Sequence, residues 1–174
     1  MSMETVETDL GHVAVAVGPG GLVAVTVPLA DAAQARRSLA ASLARRREPA
    51  VGGSGALLAA AVAAAQDHCA GRQPRWPEEL DLTGYGPFQR RALLAARSIP
   101  WGETRSYQWL AEAAGSPRGA RAAGQAMARN ELCLVVPCHR VVASDGCLGG
   151  FGGGLDLKAR LLWVERTAQA QTRH

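Results

Sequence analysis

The strongest constraint on the fold is an alternating stretch near the N-terminus. Residues 12–17 read HVAVAV and residues 21–27 read GLVAVTV, and the turn-forming residues GPGG (18–21) separate the two runs. Apolar side chains at every second position predict a half-buried β-strand, and the Gly- and Pro-rich interruption predicts a turn. The stretch therefore predicts a β-hairpin. Two strands cannot form a stable core alone, so other elements must cover it.

Two helices are predicted to provide that cover. DAAQARRSLAASLARRR (31–47) and ALLAAAVAAAQDHCAGR (56–72) are rich in Ala, Leu and Arg and contain no Pro, which predicts an amphipathic first helix and a buried second one. A small α+β unit results. The Pro- and Gly-containing stretch 71–87 predicts a connector. We therefore place a domain boundary near residue 80, with an α+β domain over 1–80 and a second domain over 81–174.

The second domain is predicted to be mainly helical. FQRRALLAARSI (88–99) predicts a helix that ends before Pro100, and the only later run that resembles a strand is the short apolar stretch before Cys138. The longest apolar run of the chain, residues 55–65, is shorter than the ~20 residues of a membrane span. The acidic segment MSMETVETDL does not resemble a secretory signal. We therefore expect a cytoplasmic protein with no membrane association and with reduced cysteines.

The segment TRSYQWLAEAAGSPRGARAAGQAMARN (104–130) predicts two helices joined by a short turn. Ser106 can cap the first helix, and Gly115 can end it in the left-handed conformation. Ser116 is predicted to cap the second helix, with Pro117 at its first position. This spacing is typical of a helix-turn-helix.

Helical periodicity gives the second of these helices two faces. At 100° per residue, one face carries Arg118, Arg121, Ala122, Gln125 and Arg129, and the opposite face carries Ala120, Ala123 and Met127. Residues 86–130 contain seven Arg and two acidic residues, for a net charge of +5, whereas residues 1–85 have a net charge of −2. A solvated arginine face is an alternative, but the local basic excess favours nucleic-acid binding.

The segment LCLVVPCHRVVASDG (132–146) places a thiol beside an imidazole. The spacing of Cys133, Cys138, His139 and Cys147 lacks the short pairs of a structural zinc site. An inert buried thiol would explain Cys69 and Cys133. Cys138 differs, because Pro137 precedes it and the positive charge of His139 and Arg140 favours a thiolate.

A carboxylate is predicted to complete the site. In the C-terminal helix LDLKARLLWVERT (155–167), Leu157, Leu161 and Val164 form the buried stripe, and Glu165 falls on the same side. A carboxylate that faces a core needs a partner. A Glu–His–Cys relay would supply one, with a bridging water where an extended backbone separates adjacent side chains. The alternative is a Glu that extends to solvent at the helix end.

Several motifs in fixed order resemble one family. PCHRV (137–141), preceded by SYQWLAEAAGSPRGARAAGQAMARN (106–130) and followed by GGFGGGLDLKARLL (149–162), resembles the O6-alkylguanine-DNA alkyltransferases, also called methylated-DNA–protein-cysteine methyltransferases. The resemblance covers roughly residues 80–166. It implies a ribonuclease-H-like N-terminal domain and a winged-helix-type C-terminal domain with a helix-turn-helix.

The resemblance also implies the catalytic roles. Cys138 would accept the alkyl group, with His139 as its water-mediated base and Glu165 as the carboxylate that orients the imidazole. Asn130 would be the hinge residue that braces the active-site turn. Tyr107 would press on the phosphate of the lesion and, after base flipping, donate a proton toward guanine N3.

Further residues would contact DNA and the flipped base. Arg121 would replace the extruded base in the duplex while its helix occupies the minor groove. The other expected DNA contacts are Ala120, Ser106, Tyr107, Arg118 and Gln125. The expected pocket consists of Met127, Val141, Phe151 and Gly152, with the backbone carbonyls of Cys138 and Val141 as acceptors for the guanine amine.

The implied activity is stoichiometric, direct-reversal repair of O6-alkylguanine and O4-alkylthymine in double-stranded DNA by a monomer. The thioether product is stable, so each molecule would react once. We expect no cofactor and no metal, because the N-terminal zinc ligands of some relatives are absent: no cysteine precedes Cys69.

Departures from the family pattern leave alternatives open. Glu131 and Cys133 stand where prolines are usual, and Phe151 replaces a frequent Tyr. A non-enzymatic lesion-binding or helix-turn-helix regulatory protein would not need Cys138, which is Trp in the alkyltransferase-like group. A cysteine hydrolase would not need the basic helix.

Overall fold

The computed structural model describes residues 2–46 and 52–172. The described residues form two compact units. The first contains the residues up to Gly84 together with Glu131–Val135, and the second contains Tyr85–Asn130 and the residues from Val136 onward. The first unit has a small sheet with helices, and the second is mainly helical, so the fold mixes α and β elements, in agreement with the predicted α+β class.

The first unit is built on a three-stranded antiparallel sheet. Its strands are β1 (Ser2–Thr8), β2 (Gly11–Gly18) and β3 (Gly21–Val25), in the order β1-β2-β3. The β2–β3 hairpin confirms the prediction from the alternating stretch, with Gly18 paired to Gly21. β1 was not predicted. It is an edge strand with polar residues, and only its pairing along the whole length of β2 reveals it.

Two helices cover this sheet. α1 (Ala32–Ala44) is capped by Asp31, whose carboxylate accepts the Gln34 N–H at 2.7 Å, and α2 (Gly55–Cys69) is capped by Ser54. Both confirm the predicted helices, although Arg47 lies outside the described residues. The prediction that α2 is buried is wrong. Only one face is buried, because a helix that lies against a sheet on one side leaves the other side exposed; that face contains Ala61, Ala64, Ala65, His68 and Cys69.

A segment distant in sequence completes the first unit. Val25 donates its N–H to Glu131 O at 2.8 Å, and Cys133 donates its N–H to Val25 O at 2.9 Å. The prediction that residues 81–174 form one domain therefore needs correction, because Glu131–Val135 belongs to the first unit. The physical reason is that the outer edge of β3 has backbone groups that require partners.

The second unit contains four α-helices among its described residues. They are α3 (Pro87–Arg97), α4 (Tyr107–Ala113), α5 (Ala120–Ala128) and α6 (Leu155–Thr172). The short strands β4 (Arg105–Ser106) and β5 (Val141–Val142) pair in parallel. The expectation of a strand before Cys138 is wrong, because Leu134 has a φ of 68° and the chain turns there. β5 forms after Cys138 instead.

α4 and α5 are joined by a turn. Ser106 Oγ accepts the Trp109 N–H at 3.0 Å, and Gly115 has a φ of 79°, so both predicted ends of α4 are confirmed. α5 begins at Ala120 rather than at Pro117. The reason is that residues 116–119 form a β-turn, in which Gly119 donates its N–H to Ser116 O at 2.8 Å. Pro at the second position and Gly at the fourth favour such a turn over helix.

Within the described residues, no helix is both long and apolar enough to cross a membrane.

Candidate active site

Two successive turns position Cys138. Pro137 has φ −79° and ψ 70°, and Cys138 donates its N–H to Val136 O at 2.8 Å, which is the geometry of an inverse γ-turn. Cys138–Arg140 then form one turn of 3₁₀-helix. Of the two backbone conformations that the sequence left open here, extended or sharply turned, the structure has the turn. Pro137 favours the γ-turn because its ring restricts φ to about this value.

Asn130 supports these turns from the end of α5. Its Nδ2 donates to Val136 O at 2.9 Å, and its backbone N–H donates to Met127 O at 3.1 Å. Asn130 is 9% exposed, so water competes little for these bonds. The structure therefore places Asn130 between α5 and the turn that leads to Cys138, the two elements that the resemblance connects through it.

His139 and Glu165 form a buried pair. His139 Nε2 lies 2.6 Å from Glu165 Oε1, and neither side chain is exposed. Glu165 is therefore not the solvent-exposed helix-end residue of the alternative interpretation. An ionised carboxylate only accepts hydrogen bonds, so the proton of this contact belongs to His139 Nε2. In the neutral imidazole this tautomer leaves the lone pair on Nδ1.

Burial controls the charge of His139. Burial of the ring, which disfavours the charged imidazolium, holds the pKa of His139 below its usual range. The charge of Glu165 and its hydrogen bond act in the opposite direction, and the positive charges of Arg140 and Lys158 act in the same direction as burial. The ring is therefore neutral at physiological pH and can accept a proton.

Cys138 lies beside His139 in the chain and is 7% exposed. An ionised Cys138 raises the pKa of two further groups, Tyr107 and Lys158. Burial raises the pKa of the Tyr107 hydroxyl, and the nearby Cys138 adds to this effect. Tyr107 therefore keeps its proton at neutral pH.

Lys158 is a buried residue of the site that the sequence analysis missed. It is fully buried on α6, and its Nζ donates to Val141 O at 2.6 Å, to Leu148 O, and to Gly150 O at 3.4 Å. Burial lowers its pKa. The signal was present in the sequence, because Lys158 precedes Leu161 and Glu165 by three and seven residues and so shares the buried stripe of α6.

Tyr107 lies between α5 and the glycine-rich loop. Its hydroxyl is 3.4 Å from Gly150 O, and the Lys158 ammonium is 5.9 Å from the ring centroid. A Cβ atom at Gly149 would lie 3.1 Å from the Tyr107 ring, whereas one at Gly124 would be in ordinary contact at 3.8 Å. Small residues on both sides therefore allow the close approach of this ring.

The structure places the remaining predicted pocket residues in different environments. Met127 and Val141 are buried, Phe151 is half-buried and Gly152 is exposed. The Val141 carbonyl, a predicted acceptor for the guanine amine, already accepts from Lys158 Nζ. A carbonyl oxygen has a second lone pair, so a further donor remains possible.

The predicted DNA contacts surround the start of α5. Arg121 and Gln125 are exposed on α5, and Ala123 and Met127 face the interior, which confirms the two predicted faces. Arg118 is exposed but lies in the turn before the helix, not on it. Two further predicted contacts, Ala120 and Ser106, are half-buried.

Comparisons with known proteins all point to one family. The family model of the 6-O-methylguanine DNA methyltransferase DNA-binding domain matches residues 87–167. A methylated-DNA–protein-cysteine methyltransferase of Mycolicibacterium paratuberculosis is 49% identical over 109 residues, which is 63% of this chain and 66% of that protein. A constitutive methyltransferase of the same name from Bacillus subtilis is 43% identical over 110 residues, again 63% of this chain and 66% of that protein.

The similarity extends further in three dimensions. The alignments with the two curated relatives cover just under two thirds of their length. A crystal structure of Mycobacterium tuberculosis OGT in complex with DNA has a TM-score of 0.74 and 30% sequence identity, and the match covers 95% of this chain and 93% of that one. The chain therefore belongs to the family of 6-O-methylguanine DNA methyltransferases.

Proposed function

We propose that this protein repairs alkylated DNA by transferring an alkyl group from guanine O6 to its own Cys138, and that it acts likewise on O4-alkylthymine. The observation that carries this proposal is the fully buried hydrogen bond of 2.6 Å between His139 and Glu165, directly beside Cys138. A neutral, oriented imidazole next to a thiol is the arrangement that activates a cysteine nucleophile. The relatives named above act on methylated DNA and a protein cysteine.

The proposed reaction begins with the removal of the Cys138 proton. His139 accepts it through a bridging water, and Glu165 stabilises the resulting imidazolium. The thiolate sulfur then attacks the alkyl carbon, the S–C bond forms, and the C–O6 bond breaks with its electron pair remaining on the guanine. Over the whole reaction the thiol proton is transferred to the guanine, which therefore leaves as a neutral molecule. No step regenerates the thiol, and each molecule reacts once.

Tyr107 and Lys158 are suited to support this reaction. The raised pKa of Tyr107 keeps its hydroxyl protonated, as a donor to guanine N3 must be. The Lys158 ammonium holds the carbonyls of Val141, Leu148 and Gly150. These bonds would maintain the wall that receives the flipped base, together with Met127, Phe151 and Gly152. Flipping is required because a thiol cannot reach guanine O6 inside the base stack.

DNA binding is assigned to α4 and α5, which we propose act as a helix-turn-helix within a winged-helix-type domain. The exposed side chains of Arg118, Arg121 and Gln125 would contact the minor groove, with Arg121 in the place of the extruded base. Ser106, Ala120 and Tyr107 complete the proposed interface. The first unit, with its sheet and two helices, would be the family's ribonuclease-H-like domain. We further propose that the protein acts as a monomer in the cytoplasm.

The test is to incubate the protein with a duplex that contains one O6-methylguanine and to measure the intact mass and the peptide adducts. We expect one methyl group per molecule, located on the peptide that contains Cys138. Cys138→Ser should abolish transfer, whereas Cys147→Ser, which removes an exposed thiol, should leave it unchanged. Binding without a mass change would favour a lesion-binding protein, and repeated turnover would contradict the proposed mechanism.

A further inference from the structure

The Glu165 carboxylate accepts hydrogen bonds from other groups besides His139. Arg140 Nε donates to Glu165 Oε2 at 2.8 Å and Arg140 Nη2 donates to Oε1 at 3.1 Å, so the guanidinium binds both oxygens. The backbone N–H of Gly102 donates to Oε2 at 3.1 Å. With His139 Nε2, four N–H groups therefore converge on a carboxylate that water does not reach.

Arg140 is itself held in place by the corner after α3. Its Nη1 donates to Ile99 O at 2.6 Å, and its guanidinium carbon lies 5.4 Å from the centroid of the Trp101 ring. Both contacts are made by a side chain that is only 8% exposed. Arg140 therefore has a single well-defined position, from which its planar donor groups match the geometry of a carboxylate.

The charges of this buried cluster determine what His139 can do. A carboxylate out of contact with water stays ionised only where a positive charge and hydrogen-bond donors lie close to it. Arg140 supplies that charge, because a guanidinium does not deprotonate in proteins. If Arg140 were absent, the nearest group able to supply a positive charge to Glu165 would be His139 itself, by taking up a proton. A His139 that is already protonated cannot accept the proton of Cys138.

We propose that Arg140 is a positioning residue for the alkyl transfer: it neutralises the buried Glu165 carboxylate, so that His139 remains an uncharged base. This inference rests on the proposed function and concerns the same site. The charged groups of the second unit that act on His139 are Glu165 and Lys158 on α6 and Arg140 in the 3₁₀ turn, with Cys138 and Tyr107 as titratable neighbours. Lys158 cannot replace Arg140, because the bonds of its Nζ are made to carbonyls at Val141, Leu148 and Gly150.

The test reads the charge of His139 directly from the ¹⁵N NMR spectrum of its imidazole at neutral pH, and His139→Gln assigns the signals. The wild-type protein should show the two separate nitrogen resonances of a neutral ring with the proton on Nε2. Arg140→Met, which keeps a long apolar side chain but removes the charge, should show the converged resonances of an imidazolium. A neutral ring in folded Arg140→Met would overturn the proposal.

Two further variants keep the test decisive if Arg140→Met does not fold. Arg140→Lys retains the positive charge, and Arg140→Met combined with Glu165→Gln removes both charges at once. Both should show a neutral His139. An imidazolium in either variant would contradict the proposal. In Arg140→Lys a cation remains beside Glu165, and in the double variant the side chain at position 165 no longer carries a charge.

The same variants are then assayed for single-turnover methyl transfer. Arg140→Met should slow the transfer by about 100-fold or more, the scale of a lost general base, and should change the Kd for the lesion duplex less than twofold. A Kd that rises as much as the rate falls would indicate a merely structural role. If the wild-type Cys138 gains no methyl group, the proposed function fails, whereas the NMR result still decides the role of Arg140.

Discussion

At the scale of single residues, the buried polar side chains of the second unit explain more of the site than its apolar ones. A buried ammonium is costly unless hydrogen bonds replace its lost hydration. Lys158 has three carbonyl partners, of which Leu148 O immediately precedes GGFGGG and Gly150 O lies within it. This lysine therefore connects α6, β5 and the loop beside Tyr107, and one side chain stabilises three parts of the site.

Replacing Lys158 tests that connection. Lys158→Met keeps most of the side-chain volume but leaves three carbonyls without their donor, so we expect a loss of about 2–4 kcal/mol in the free energy of unfolding. Urea denaturation measures the change. Arg160→Met is the matched control, because Arg160 is exposed on the same helix, and it should change the free energy by less than about 0.5 kcal/mol. Equal effects of the two substitutions would contradict the structural role of Lys158.

Cys69 gives a prediction for the first unit. Burial raises the pKa of its thiol to about 11, from an ordinary value of 9.0. The folded state therefore favours the neutral thiol. The contribution of the neutral Cys69 thiol to the stability of the folded state is fully present below pH 9. It is lost as the pH rises toward 11, because in that range the thiol ionises in the unfolded chain but not in the folded one.

The check is to compare the wild-type protein with Cys69→Ala at several pH values. The difference in unfolding free energy between the two should shrink by about 2 kcal/mol between pH 8 and pH 11. Other groups titrate in this range in both proteins, and the comparison cancels them. A difference that does not change with pH would show that Cys69 ionises equally in the folded and unfolded states.

At the scale of elements, the connection between α4 and α5 shows how the local backbone conformation determines where one helix ends and the next begins. Gly115 ends α4 with a φ of 79°, and Ser116 then donates its N–H to Ala111 O at 2.8 Å, as in a Schellman motif. The β-turn over residues 116–119 follows at once. The start of α5 is therefore set by this turn and not by Pro117, and Arg118 stands before the helix.

Gly115→Ala measures the cost of that helix end. A Cβ atom at Gly115 would meet only Arg91 Nε, at 3.8 Å, so the penalty comes from the left-handed backbone alone. We expect a loss of about 1 kcal/mol in the free energy of unfolding, measured by thermal denaturation. Gly55→Ala, in the first turn of α2 and with open space around it, should leave stability unchanged or raise it. If Gly115→Ala left the free energy of unfolding unchanged, α4 would not need a glycine at its end.

At the scale of the whole molecule, the uneven distribution of charge is the main sequence-level indication of a DNA partner. Residues 86–130 have a net charge of +5, from seven Arg and two acidic residues. α5 exposes Arg121 on the face opposite its buried residues, and Arg118 is exposed in the turn before it. A polyanion would meet this basic surface in the second unit.

The salt dependence of binding measures this contribution. If Arg118 neutralises one phosphate, Arg118→Ala should reduce the slope of log Kd against log salt concentration by about 1. Fluorescence anisotropy with a lesion duplex over a range of NaCl concentrations gives the slope. Arg36→Ala, an exposed arginine of α1 in the first unit, is expected to leave it unchanged. Equal losses from both substitutions would indicate non-specific binding over the whole surface.

The features that the sequence predicts correctly depend on neighbouring residues, and those that it misses depend on contacts between distant ones. The hairpin, α1, α4 and the end of α4 at Gly115 were predicted correctly, because each depends on neighbouring residues: alternation, capping or a left-handed glycine. β1 was missed, because an exposed edge strand has a weak pattern of its own. The addition of Glu131–Val135 to the first unit was also missed, because its hydrogen bonds with Val25 connect residues that are far apart in the chain.

The sequence by itself determined the family and the candidate nucleophile, Cys138, because PCHRV and the helix pair before it are contiguous motifs that can be interpreted from residue type and spacing. Only the tertiary structure decided which charged groups surround His139, the neighbour of Cys138. Glu165 receives donors from Gly102, His139 and Arg140. Gly102, the 3₁₀ turn with His139 and Arg140, and the helix with Glu165 are separate parts of the chain, and the balance of charge in a buried cluster depends on distances that no local pattern encodes.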